Sequence, residues 1–294
     1  MEFFTNLDKK VKENSEMKLH DTICMWSDLL GFGKPLFDSQ FNLTEETTKN
    51  VFNRLQEAHK IFLSWTNPYG EKSLIINDGI VKTSTLTQKD HLDEFGYFIR
   101  SCIETHLRIC ENEEEKNLPG TRTILAAGQS IEYIAPEINF DDYVMNYTKP
   151  NPNELSNLAK ENGNPIIVYN PKPFQMNMAF SKAYSLDNLG SKYGLAGANF
   201  FIDNSVINFM ERLARYRNVS FIRNENDGVI QVYLKKCDDR CYFGFELTDE
   251  NKVSYNGWNT TTYRVISFYP PDENMSEFKY EIPYRKVNNW KRKQ

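Results

Sequence analysis

One long amphipathic segment, TEETTKNVFNRLQEAHKIFLSW (44–65), lies between a short apolar run, TICMWS (22–27), and the stretch KSLIINDGIVKTSTL (72–86). That order leaves few folds open. Thr44 with acidic residues behind it marks a helix start, and Val51, Leu55, Ala58, Phe62 and Trp65 share one helical face. The apolar run before it ends at Asp28 and Gly31-Phe32-Gly33, as a short buried strand would. Asn77-Asp78-Gly79 is a two-residue hairpin signal between two strands. If the hairpin returns to the sheet of the first strand, Asp28 and Asp78 meet at one sheet edge.

The alternation continues. Phe95, Phe98, Ile99, Cys102, Ile103, His106 and Leu107 keep helical spacing from Asp90 to Cys110, and the run ENEEEKNLPG after them reads as an acidic, solvated loop. On that apolar face His106 reads as a core histidine bonded to a neighbour, with a catalytic role as the competing reading. TRTILAAG is a strand running into Gly128, residues from about 136 to 164 form an Asn-, Asp- and Pro-rich insertion, and NPIIVYN is another buried strand. NMAFSKAYSLDNLGSK, GANFFID and NSVINFMERLARY follow as helix, strand and helix. Beyond Ser220, GVIQVYLKK, CYFGFEL and TTYRVISFY alternate apolar and polar residues as antiparallel strands do. The expected organisation is an N-terminal helix or arm (1–20), a main domain (21–218) and a C-terminal β-rich extension (219–294).

A net charge of -5 provides no broad basic field for nucleic acid or an anionic membrane surface, so any phosphate site must be local. No stretch approaches the roughly 18 to 20 apolar residues of a membrane span, and the first residues lack a signal-peptide core, so a cytoplasmic protein is expected. Five cysteines imply no disulfide framework, and CDDRC (237–241), without a matching Cys or His pair nearby, reads as a turn rather than a zinc site.

Two carboxylates at one sheet edge are hard oxygen ligands suited to Mg²⁺ or Mn²⁺, and backbone N–H groups of LLGFG could cradle phosphates. Here the sequence resembles the class III nucleotidyl cyclases. SDLLGFG and LIINDGIVKTS match that family's strand ending in Asp-x-x-Gly-Phe and its hairpin Asp in order and distance. LPGTRTILAAGQSIEY and AFSKAYSLDNLGSKYGLAGANFFID continue the likeness, which spans roughly 20 to 210. The resemblance implies an α+β fold, a ferredoxin-like cyclase sheet with helices on one face. It further implies head-to-tail homodimers with active sites at the interface, and cyclisation of a nucleoside triphosphate with release of pyrophosphate.

Carried over by position, Asp28, Asp78 and the Leu29 carbonyl would hold two Mg²⁺ or Mn²⁺ ions, while Leu29, Leu30, Gly31, Phe32 and Gly33 would bring amides to the phosphates. The family's Asn and Arg on the fourth helix, which orient the ribose and stabilise the transition state, are replaced by Ser181 and Ser185. A substitute cation would have to come from Lys182, Arg122 or another basic residue. The purine-reading positions hold Leu74 and Phe174, so neither purine code is present. Within the family the chain is most like the Pycsar pyrimidine cyclases of bacterial anti-phage defence, which implies cyclic CMP or cyclic UMP as product. The alternatives are a degenerate cyclase-homology domain that binds nucleotide or a partner without turnover, and a purely structural interaction module.

Overall fold

The computed structural model describes residues 19–42, 44–65, 71–86, 92–131, 144–147, 166–169, 171–217, 219–235, 241–271 and 279–285. The expected N-terminal arm, most of the 136–164 insertion and most of the CDDRC turn lie outside them. The chain forms two compact units: Asp21–Gly128 with Met178–Gln294, and Met1–His20 with Gln129–Asn177.

The larger unit is α+β. Its first elements are β1 (Leu19–Leu29), a short α1 (Lys34–Asp38), α2 (Glu45–Ser64), the hairpin β2 (Lys72–Ile76) and β3 (Gly79–Leu86), α3 (Leu92–Glu115) and β4 (Thr121–Ile131). These strands lie in the order β2-β3-β1-β4, with β3 antiparallel to both β1 and β2. This is the ferredoxin-like β-α-β-β-α-β arrangement. Thr44 caps α2 by accepting the Thr47 N–H at 3.3 Å, as its position before the acidic first turn predicts.

Strand side chains alternate between faces, and both faces of this sheet are covered. Ile23 and Met25 belong to one core cluster with Phe62, Phe95, Phe98 and Phe209. Trp26, on the opposite face, meets α4 (Met178–Leu189), with ring centroids 5.9 Å from Phe180 and 5.1 Å from Tyr184. The long helices α2 and α3 thus share one face, while the short α4 lies on the other.

One expectation changes. The acidic run is helical rather than loop: α3 continues through Glu111–Glu115, because Glu113 turns inward to a buried ion pair with Arg54 and Asn117 (φ +56°) ends the helix. The C-terminal strands continue the same sheet. After β7 (Phe200–Asp203) and α5 (Asn204–Arg217), the chain forms β8 (Ser220–Asn226), β9 (Val229–Lys235), β10 (Cys241–Tyr255), β11 (Trp258–Tyr269) and β12 (Tyr280–Glu281). β11 pairs with β7, and the sheet runs on as β4-β7-β11-β10-β9-β8. Phe95 of α3 stacks edge-on against both Phe209 of α5 and Phe243 of β10, each at 5.2 Å.

In the smaller unit β5 (Val144–Tyr147) and β6 (Ile166–Tyr169) pair in parallel. A 3-10 turn, Lys172–Phe174, precedes a bridge between Ser130 and Asn177.

Candidate active site

The β1–β3 register brings the two predicted acids together. Asp28 pairs opposite Gly79, and the Leu29 N–H donates to the Asp78 carbonyl at 3.3 Å. Asp78 stands in a turn made possible by Asn77 (φ +55°), whose side-chain amide donates to the Asp78 carboxylate at 3.0 Å. Gly79 is required there, because a Cβ would fall 2.4 Å from the Trp26 ring.

Burial pushes the Asp28 carboxyl up to about 7, reinforced by the Asp187 and Asp78 carboxylates and opposed by the Arg122 and Arg54 guanidinium groups. Burial also raises Asp78, against hydrogen bonds from its own backbone and from Asn77. Two half-buried acids side by side that resist ionisation, chiefly through burial, form a place where a divalent cation is favoured, since its charge offsets the cost of ionising them there. Among the described residues no group of three or more His, Cys, Asp or Glu side chains is placed to hold a metal. Two carboxylates with a triphosphate completing the coordination suit Mg²⁺. The Leu29 carbonyl, which accepts from the Phe32 N–H at 3.2 Å, stands at the same strand end as Asp28.

The turn Leu29–Gly33 is tied both to itself and to the neighbouring strand ends. The amides of Leu29, Leu30 and Phe32 donate to Asp78, Gly120 and Leu29 carbonyls at 3.3, 3.0 and 3.2 Å. The amides of Gly31 and Gly33 have no such bond among the described residues. Arg54 clamps the turn from α2: it donates to the Leu30 carbonyl at 2.9 Å, lies over the Phe32 ring, and pairs two-fold with Glu113. No motif pointed to Arg54, whose place inside an amphipathic helix carries no signal of its own.

The remaining predicted residues divide by location. Arg122 is committed: it donates to the Asp187 carboxylate at 2.6 Å, the Asp187 carbonyl at 2.8 Å and the Leu195 carbonyl at 3.2 Å. Asp187 also accepts from the Trp26 indole at 3.1 Å, so it is the α4 side chain coupled to Asp28. Lys182 donates to the Ala127 carbonyl at 3.0 Å. On the same helix Ala179, Ala183 and Leu186 are buried, which turns Ser181 outward and leaves Ser185 half-buried. Leu74 is half-buried opposite Val81 in the hairpin. Phe174 belongs to the smaller unit and is buried.

Fold and site together describe an α+β protein with a two-carboxylate sheet edge beside a glycine turn. No known family profile and no curated protein matches the sequence. Among solved structures, the chain is similar to the adenylyl cyclase CyaB from P. aeruginosa, at 11% identity over 86% of this chain and 96% of that one, with a TM-score of 0.42. It is similar to the guanylyl cyclase Cya2 at 12% identity over 88% and 96% of the two chains, with a TM-score of 0.42. The guanylate cyclase domain of RhGC from Catenaria anguillulae, solved with GTP, matches at 12% identity over 84% and 97%, with a TM-score of 0.38.

Proposed function

We propose that this protein is a metal-dependent nucleotidyl cyclase that converts a nucleoside triphosphate, CTP or UTP, to a 3′,5′-cyclic nucleotide and pyrophosphate. The observation that supports it is the meeting of Asp28 and Asp78 on adjacent strand ends, both pushed toward protonation, beside a turn with two uncommitted glycine amides. Asp28, Asp78 and the Leu29 carbonyl would hold two Mg²⁺ or Mn²⁺ ions, which when bound supply charge neutralisation at the ribose 3′-oxygen and at the departing phosphates. The Gly31 and Gly33 amides bind phosphate oxygens and orient the triphosphate. Arg54 keeps that turn in shape through the Leu30 carbonyl. In the reaction the 3′-oxygen gives its proton to solvent and bonds to the α-phosphorus, while the bond from that phosphorus to the α–β bridging oxygen breaks and pyrophosphate leaves with the electron pair.

Leu74 and Phe174 in place of a purine code favour a pyrimidine base and, with it, synthesis of a second messenger in anti-phage defence. A homodimer with each site at the interface would bring a partner's residues to the substrate, and the outward Ser181 is placed on a face such a partner could cover. Measuring pyrophosphate and cyclic product from all four NTPs with Mn²⁺ tests the reading. Cyclic CMP or cyclic UMP is expected, and no product from any NTP would overturn it.

A binding-only domain is the second reading, favoured by the commitment of Arg122 and Lys182 to acceptors within the chain. It predicts metal-dependent affinity for a non-cyclisable NTP analogue by calorimetry, with no turnover.

A further inference from the structure

A chain of buried polar groups threads from α3 to the end of β1. His106 Nδ1 lies 2.9 Å from Thr123 Oγ1, which lies 2.8 Å from Ser27 Oγ. Ser27 Oγ lies 2.7 Å from Thr121 Oγ1, and Thr121 donates to the Asp28 carbonyl at 2.9 Å. All four side chains are buried.

The direction of every bond follows from the last one. A carbonyl only accepts, and each hydroxyl has a single hydrogen. Thr121 spends its hydrogen on Asp28, so Ser27 must donate to Thr121 and Thr123 must donate to Ser27. Thr123 then has no hydrogen left, and His106 Nδ1 must carry one. The opposite tautomer, protonated on Nε2, would leave the 2.9 Å link to Thr123 without a hydrogen, whereas Nδ1–H leaves only the 3.9 Å contact with the Cys110 sulfur without one. Burial, reinforced by Arg285, lowers the imidazole to about 3 and keeps it neutral; its Nε2 lies 3.9 Å from the Cys110 sulfur, whose thiol donates to the Thr121 carbonyl at 3.7 Å.

We propose that His106, as its Nδ1–H tautomer, is a positioning residue whose one-way hydrogen-bond chain through Thr123, Ser27 and Thr121 sets the strand end from which Asp28 and the Leu29 carbonyl face a divalent cation. The inference rests on the metal-site reading. It assigns no contact with substrate to His106. Groups that orient metal ligands from behind typically change metal affinity by about 10- to 100-fold when removed.

The test uses the full chain. Nitrogen NMR of the metal-free protein reports the tautomer, with Nδ1–H expected. Mn²⁺ titration of Thr121→Val and His106→Gln is expected to show affinity weakened about tenfold. His106→Asn, which keeps a donor near the Nδ1 position, is expected to retain wild-type affinity. An Nε2–H tautomer, or Mn²⁺ affinity unchanged in Thr121→Val, would overturn the proposal. Should the wild type bind no Mn²⁺, the metal reading falls by itself. The tautomer, together with amide exchange at Leu29 and Leu30 in Thr121→Val, then decides the chain without metal: faster exchange supports it, and unchanged exchange overturns it.

Discussion

Burial pushes Asp28 up to about 7, so without a cation beside it its ionised form costs stability, which a bound cation would restore. The unfolded chain gives up this proton near 4, and the folded chain holds it to about 7. Between those values the folded state binds more protons, so stability falls as pH rises through the window and stays lost above it. Replacing Asp28 by Asn should therefore stabilise the metal-free protein at pH 8, by about 1–3 kcal/mol in a denaturant titration. Protons and metal compete for the same carboxylate, so Mn²⁺ binding to the wild type should tighten between pH 6 and pH 8, as read by calorimetry. For Asp78→Ala the expectation is loss of cyclic product with an unchanged thermal melt. Both acids were legible before the fold because each ends or turns a strand beside glycine. Asp187 was not, since a lone acid inside a helical pattern reveals neither its Trp26 bond nor its Arg122 partner.

At the scale of elements, the Leu29–Gly33 turn is held from behind. Arg54 and Glu113 are nearly buried, and removing one charge leaves the other unpaired away from water. Arg54→Ala should cost about 3–5 kcal/mol in urea unfolding and also release the Leu30 carbonyl. The helix spans of α2 and α4 and the β2–β3 hairpin followed from periodicity and turn residues, which are local properties. The end of α3 did not follow. Its acidic last turns look solvated until Arg54, far away in sequence, arrives to pair with Glu113.

For the whole molecule, the C-terminal strands belong to the sheet that carries the site. β11 is hydrogen-bonded to β7, and Phe243 packs on Phe95 of α3. Removing residues 219–294 should therefore abolish the cooperative melt followed by circular dichroism, rather than release a stable core. A sharp melt in the truncated chain would show the strands to be an addition. Composition and periodicity determined that this chain alternates strands and helices and places two acids at strand ends, because burial patterns and turn preferences act over a few residues. Only the tertiary structure decided which strands are neighbours, that both faces of the sheet are covered, and that Arg122 is spent on Asp187. Register and ion pairing between distant segments depend on which surfaces exclude water together, and no local stretch of sequence contains that information.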